Sequence, residues 1–130
     1  MPKEIIQTNL APAPIGPYNQ AIKANGFIFI SGQIPLDPVT GETVTTSIEE
    51  ETHMVMKNIA AILAEAKISF SHIVKTTILL SDMSLFAKVN EVYGSYFTDM
   101  PPARETFAVK GLPRGVNVEI STTAVVEGHT

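Results

Sequence analysis

Two segments with helical periodicity, each set between β-type runs, constrain this chain more than any other feature. "GFIFISGQI" (Gly26–Ile34) is apolar at every position from Phe27 to Ile30. A run of that kind predicts a strand covered on both faces. Turn chemistry in "DPVTGE" follows, and Ser47 with Glu50 three residues on reads as a capping box opening a helix. The helix stripe is Ile48, Val55, Ile59, Ile62, Leu63 and Ala66, and Ser69 to His72 closes the segment. "IVKTTILL" (Ile73–Leu80) is the next strand. Ser81 or Asp82 then caps a second helix running through Phe97, with Phe86, Val89, Tyr93 and Phe97 on one face. Pro101 and Pro102 stop it, and two strands, Ala103–Val109 and Val116–Val126, finish the pattern around "KGLPRG". The order strand, helix, strand, helix, strand, strand predicts an α+β fold, one sheet with two helices on one face, in a single domain over residues 1–130. The start, "APAPIGPYNQA", reads as an ordered loop stiffened by Pro12, Pro14 and Pro17. A connector as short as "KGLPRG" favours a hairpin between the last two strands.

Composition excludes several kinds of chemistry. The net charge is −4 and the lysines are scattered, so no clustered basic face for nucleic acid is visible. With no cysteine there can be no disulfide, thiolate nucleophile or cysteine zinc site. His53, His72 and His129 lack ligand spacing and read as surface or capping residues, so no metal is expected. No nucleophile elbow, dinucleotide fingerprint or phosphate loop is present, which argues against a nucleotide cofactor. "MPKEIIQTNL" lacks a signal pattern and no apolar run reaches the ~18 residues of a membrane span, so the expected location is cytoplasmic. A hydrophobic content of 45% against 17% charged residues, with mean hydropathy +0.18, points to surface buried between subunits.

A cofactor-free site has to be built from Arg, Glu, Tyr, Ser, Asn and backbone groups. Arginine is scarce: only Arg104 and Arg114 occur, and Arg104 stands inside a predicted strand. Alternation puts Ala103, Glu105, Phe107 and Val109 on one strand face and Arg104 with Thr106 on the other. In the last strand Val116, Val118, Ile120 and Thr122 share one face; Asn117, Glu119, Ser121 and Thr123 share its opposite. Taken alone, Arg104 and Glu119 read as two solvated charges on an exposed face.

The blocks "IGPYNQA" (Ile15–Ala21), "SGQIP" (Ser31–Pro35), "DPVTGE" (Asp37–Glu42), "IVKTTILLSDM" (Ile73–Met83), "VNEVY" (Val89–Tyr93), "PPAR" (Pro101–Arg104) and "LPRGVNVEI" (Leu112–Ile120) occur in this order. Together they closely resemble the Rid (YjgF-type) family, nearest to its RidA branch of reactive-intermediate imine deaminases. The resemblance covers essentially the whole chain. It implies a chorismate-mutase-like fold and a barrel-like homotrimer with helices outside and sites in the clefts between subunits. It also implies that the last strand inserts between the first two main strands instead of forming the hairpin.

Carried over by position, Arg104 matches the arginine that binds a substrate carboxylate and Glu119 the acid that activates water. Tyr18, Ser31, Gly32 and Asn90 match residues lining the cleft, with Tyr18 also placed to act in catalysis. The family commonly has cysteine where this chain has Thr106, a further substrate-facing position. Glu105 is unusual beside the arginine. The implied reaction is hydrolytic deamination of small 2-imino acids, 2-iminobutanoate and 2-iminopropanoate, without cofactor. Two other classes stand beside it: an endoribonuclease or translation inhibitor, and a non-enzymatic 2-oxo-acid-binding protein. For Glu119, burial would raise the pKa and a nearby Arg104 would lower it, a balance the sequence leaves open.

Overall fold

The computed structural model describes residues 2–126. Along the chain run β1 (Glu4–Ile6), β2 (Ala21–Ala24), β3 (Phe27–Gln33), α1 (Ile48–Glu65), β4 (Ile73–Leu80), α2 (Phe86–Gly94), β5 (Ala103–Ala108) and β6 (Val118–Val125). They form one mixed six-stranded sheet in the order β1-β2-β3-β6-β4-β5. The α+β class with a single sheet and two helices therefore stands. No helix among the described residues is long and apolar enough to cross a membrane.

The last strand decides the topology. β6 is antiparallel to both β3 and β4, so those two strands are parallel to each other and would be neighbours if β6 did not fill the slot. β5 lies on the far side of β4 and parallel to it, with α2 as the crossover. The hairpin that the short connector favours does not form. Instead Pro113–Gly115 makes a 3-10 turn in which Arg114 and Gly115 adopt φ of 58° and 67°, redirecting the chain past the end of β4. Insertion between the first two main strands, as the family resemblance implies, is what the chain does.

β1 and β2 flank the segment that the sequence reads as a proline-stiffened loop, and neither is among the expected strands. Their signal is Asn25-Gly26, two consecutive residues with positive φ (53° and 82°) that turn β2 into β3 with Ala24 paired to Phe27. Asn-Gly is the pair a two-residue hairpin turn favours. The second helix is shorter than its periodicity predicts. Asp82 Oδ1 accepts from Ser84 N at 2.8 Å and caps a 3-10 turn, Met83–Leu85, ahead of α2. Beyond Gly94 the amides of Tyr96 and Phe97 bond three residues back, so the end winds as tighter turns and Phe97 lies outside α2. At α1 the expected cap forms: Ser47 Oγ accepts from Glu50 N at 3.1 Å.

The core is one layer between sheet and helices. Ile28, Ile30, Ile78, Leu80, Val118 and Ile120 meet Val55, Ile59, Ile62 and Leu63 of α1 and Val89 and Tyr93 of α2. The other sheet face is open, with Phe27, Phe29 and Phe107 exposed. β3 is thus covered on one face within the chain, not on two.

A buried acid fastens β6 to α1. Glu51, 2% exposed, accepts from Asn117 N (3.0 Å) through Oε1 and from Asn117 Nδ2 (2.7 Å) through Oε2. Asn117 in turn accepts from Ser81, both backbone to backbone and from Ser81 Oγ (2.8 Å), at the end of β4. Glu51→Ala leaves two partly buried donors of Asn117 without their acceptor, a loss of about 2–4 kcal/mol. Glu50→Ala, at an exposed neighbour, should change stability by no more than about 0.5 kcal/mol. Urea unfolding of both variants checks this, and equal midpoints would remove the structural role given to the Glu51–Asn117 bond.

Candidate active site

Arg104 sits on edge strand β5, in register with Thr76 of β4. Thr76 is fully buried on the helix-covered face, so Arg104 projects toward α2 as well. Phe86, Asn90 and Tyr93 of α2, spaced i, i+4 and i+7, share one helix face. Arg104 Nη1 donates to Asn90 Oδ1 at 2.7 Å, and its guanidinium carbon stands 5.7 Å from the Phe86 ring centroid and 5.2 Å from that of Tyr93. The other N–H groups of the guanidinium meet no acceptor among the described residues. Arg104 is therefore a held cation with spare donors, not a solvated one.

Alternation along β5 is as predicted, and it turns Glu105 away from Arg104. The face carrying Glu105 and Phe107 is the open one, while Arg104 and Thr106 face the helices. Glu105 pairs with Lys75 Nζ at 3.0 Å and accepts from Thr77 Oγ1, and those bonds hold its carboxyl below the usual range. Thr106 Oγ1 is shielded from solvent and has no hydrogen-bond partner among the described residues.

Glu119 belongs to the other side. It pairs with Leu79 across β6 and β4, and it alternates with the buried Val118 and Ile120. Its carboxylate lies over Gly32 of β3. A Cβ built on Gly32 would overlap Glu119 Oε2 and stand 2.9 Å from Cδ, so only glycine permits this approach. The pairing of β3 with β6 shifts register between Ile30 and Gln33, which makes the room. No hydrogen bond or ion pair to the carboxylate occurs among the described residues, and desolvation by burial raises its pKa. Burial thus wins the balance within one chain because the guanidinium lies across the sheet.

Of the remaining expected residues, Gly32 lies against Glu119, Ser31 precedes it on β3, and Tyr18 stands in the loop before β2. Ser31 Oγ donates to Asn19 O at 2.6 Å, and Ser31 N donates to Gln20 O at 2.9 Å. Tyr18 is half exposed, and its hydroxyl accepts from Ile15 N at 3.4 Å. Tyr18 and Gly32 line a cleft of ≈ 30 Å³ within the chain. Ligand pockets commonly run to about 300–1,000 Å³. Two larger hollows, of ≈ 500 and ≈ 560 Å³, lie between the N-terminal segment and α1 and contain none of the expected site residues.

The predicted residues therefore fall into two groups: Arg104, Asn90 and Thr106 on the helix-covered side of the sheet, and Glu119 over Gly32 on the other, with Ser31 next to Gly32 on β3 and Tyr18 in a loop that shares a cleft with Gly32. Sequence reasoning took Phe86 and Tyr93 as core positions, although their spacing to Asn90 was the available signal that they meet Arg104. The histidines stand apart. His53 Nδ1 lies 2.7 Å from Tyr96 OH, His72 Nδ1 accepts from Ser69 N at 3.1 Å, and His129 lies outside the described residues. No cluster of metal-ligating side chains occurs among the described residues.

Known proteins share this architecture. A RutC family protein of Pyrococcus abyssi is 51% identical over 127 residues, covering 98% of this chain and all of its own length. The 2-iminobutanoate/2-iminopropanoate deaminase of Mus musculus is 46% identical over 123 residues, covering 95% of this chain and 91% of its own. Escherichia coli TdcF, solved with bound serine, matches with a TM-score of 0.90 at 37% identity over 94% of this chain and 98% of that one. The family model described as Endoribonuclease L-PSP matches residues 8–126. With that match and these relatives, the chain belongs to the Endoribonuclease L-PSP family, the Rid (YjgF-type) proteins.

Proposed function

We propose that this protein hydrolyses small 2-imino acids, 2-iminobutanoate and 2-iminopropanoate, to 2-oxo acids and ammonia, as one domain over residues 1–130 and without a cofactor. The observation that carries the reading is the separation of a held guanidinium with spare donors from a half-buried, unpaired carboxylate. A planar carboxylate accepts two parallel bonds from an arginine fork, which lysine's point charge cannot supply. The deaminase name of the mouse relative and the serine bound to TdcF support a small carboxylate-bearing ligand.

Arg104 and Glu119 project from opposite faces of one sheet, so the proposal needs a second copy. A homotrimer would bring the Arg104 edge of one subunit against the Tyr18, Ser31, Gly32 and Glu119 group of the next. It would also cover the exposed Phe27, Phe29 and Phe107. In that cleft Arg104, supported by Asn90, anchors the carboxylate. Glu119 accepts a proton from water as its oxygen adds to the C=N carbon, then returns a proton to the departing nitrogen. Tyr18 and the Ser31–Gly32 backbone orient the water and the imine nitrogen. Thr106, two residues from the anchor, borders the substrate side chain. The proposed setting is the cytoplasm, where enzymes that release such imines would supply them.

Mixing inactive variants tests the shared site. Arg104→Ala and Glu119→Gln are each expected to lose turnover. Refolded together, they should regain about one working site in four by random association, because some clefts pair a native Arg104 with a native Glu119. No recovery in mixed assemblies of confirmed size would place both residues in one subunit's site.

The pH profile tests Glu119. Its working form is the carboxylate and its pKa is raised by burial, so kcat for imine decay, which reports the filled cleft, should fall on the acid side through a value above the usual ~4.3 of glutamate. The unfolded chain binds that proton less tightly, so desolvation of the charged form weakens the fold as pH rises through the folded pKa. Glu119→Gln should accordingly be no less stable at neutral pH while losing about 10²–10⁴-fold in rate. A variant with near-normal turnover would transfer the base role to Tyr18.

For Arg104, the lysine variant separates geometry from charge. Losing one charge-assisted bond of roughly 1.5–3 kcal/mol corresponds to about 10–150-fold. Arg104→Lys should fold normally yet show kcat/KM lowered at least ~10-fold. Full activity in Arg104→Lys would show the fork to be dispensable.

A further inference from the structure

We propose that Tyr93, assisted by Phe86, is a positioning residue that fixes the Arg104 fork before any ligand arrives, by closing a loop of contacts through Thr76. The inference rests on reading Arg104 as the carboxylate anchor. An arginine side chain on an edge strand has several rotatable bonds, and one hydrogen bond to Asn90 fixes one nitrogen without fixing the plane of the fork. The two rings supply the missing constraint, each within reach of a cation–π contact. Tyr93 is 4% exposed and forms the floor; Phe86, at 36%, forms an outer wall.

What distinguishes Tyr93 from an ordinary core ring is where its hydroxyl goes. It donates to Thr76 Oγ1 at 3.0 Å, and Thr76 is the residue in register with Arg104 across β4 and β5. Strand pairing joins Arg104 to Thr76, the hydroxyl joins Thr76 to Tyr93, and the ring joins Tyr93 to the guanidinium. Each member fixes the next, so the fork takes its orientation from the sheet itself and not only from α2. Burial raises the phenol's pKa, so it stays a neutral donor across the working range. Tyr93 also packs on Phe97, with centroids 4.8 Å apart, and Phe97 makes no contact with Arg104. That neighbour is the control for a purely structural role.

The scarcity of arginine makes the test direct, since the arginine Nε–H region of a nitrogen spectrum contains only Arg104 and Arg114, separated by an Arg114→Lys variant. In the ligand-free protein the Arg104 Nε–H should be ordered. Tyr93→Leu should make it mobile, Tyr93→Phe should leave it intermediate because the ring remains without its bond to Thr76, and Phe97→Leu should leave it ordered even if the protein melts lower. For imine decay, Tyr93→Leu should raise KM about 5–20-fold with kcat changed less than about threefold, because the lost contact acts on ground and transition states alike. Binding of 2-oxobutanoate in calorimetry should weaken by the same factor.

Should Tyr93→Leu fail to fold, Phe86→Leu at the outer wall carries the same expectations with a smaller rise in KM. An ordered Arg104 in the folded Tyr93→Leu protein would overturn the proposal, as would equal losses in Phe97→Leu. Failure of the anchor reading looks different: wild-type protein and Arg104→Ala would bind 2-oxobutanoate equally, whatever the order of the side chain, and the cradle would then have no carboxylate to serve.

Discussion

Everything in this fold depends on the last strand occupying the slot between β3 and β4. Those strands are parallel, and α1 joins them by a crossover long enough to leave a gap one strand wide. Without β6 the gap would expose two rows of backbone donors and acceptors beneath a helix. The strand that fills it comes last in sequence and must arrive in one register. Glu51 acts at that point. It takes both the backbone and side-chain N–H of Asn117, one residue before β6 begins, while Ser81 at the end of β4 bonds the same asparagine. A slip by one residue would send Val118 and Ile120 to the open face and Glu119 into the core. The buried carboxylate therefore sets which side of the sheet Glu119 occupies.

That choice of side shapes the chemistry. Within one chain a cation and an acid that could act on the same ligand stand back to back across a sheet. Were they adjacent, they would form an ion pair, and the pair would satisfy itself: the fork would have fewer donors to offer, and the acid would be a weaker base. Held apart, each keeps its capacity. Arg104 retains donors beyond its bond to Asn90, and the Glu119 carboxyl stays unpaired with a raised pKa. The stability given up at these two positions is small beside the core, because the guanidinium still lies against two rings and the carboxylate is only partly withdrawn from water.

The sequence made the main strands and α1 legible because their periodicities and caps are local. Gly26–Ile34, Ile73–Leu80 and the Ser47-capped helix depend on neighbours within a few residues. The misreadings came where distant parts of the chain decide. "KGLPRG" is locally a hairpin connector, and only competition for the slot beside β4 makes it a crossover; motif resemblance captured that outcome where spacing did not. β2 was hidden by the prolines before it, although Asn25-Gly26 marks its turn. Alternation along β5 was visible, but which face meets the helices was not, and Phe107 stands on the exposed one. The site residues were found individually by motif. Their division into two groups required knowing that Thr76 and Leu79, three apart on β4, face opposite ways and stand in register with Arg104 and Glu119 respectively.

The electrostatics of the proposed shared cleft follow from this division. If a neighbouring subunit brings Arg104 toward Glu119, the bare guanidinium would lower the acid's pKa and weaken it as a base. A substrate carboxylate bound to the fork cancels most of that charge before the proton must move. The anchor would then depress the base when the cleft is empty and release it when the cleft is filled, so base strength would rise with occupancy. The effect depends on Arg104 being fixed in place. A mobile cation would be free to pair with Glu119 in the empty site, whereas one held by Asn90, Phe86 and Tyr93 would be kept from doing so. In such a cleft, rigidity at Arg104 would serve Glu119 as much as the ligand.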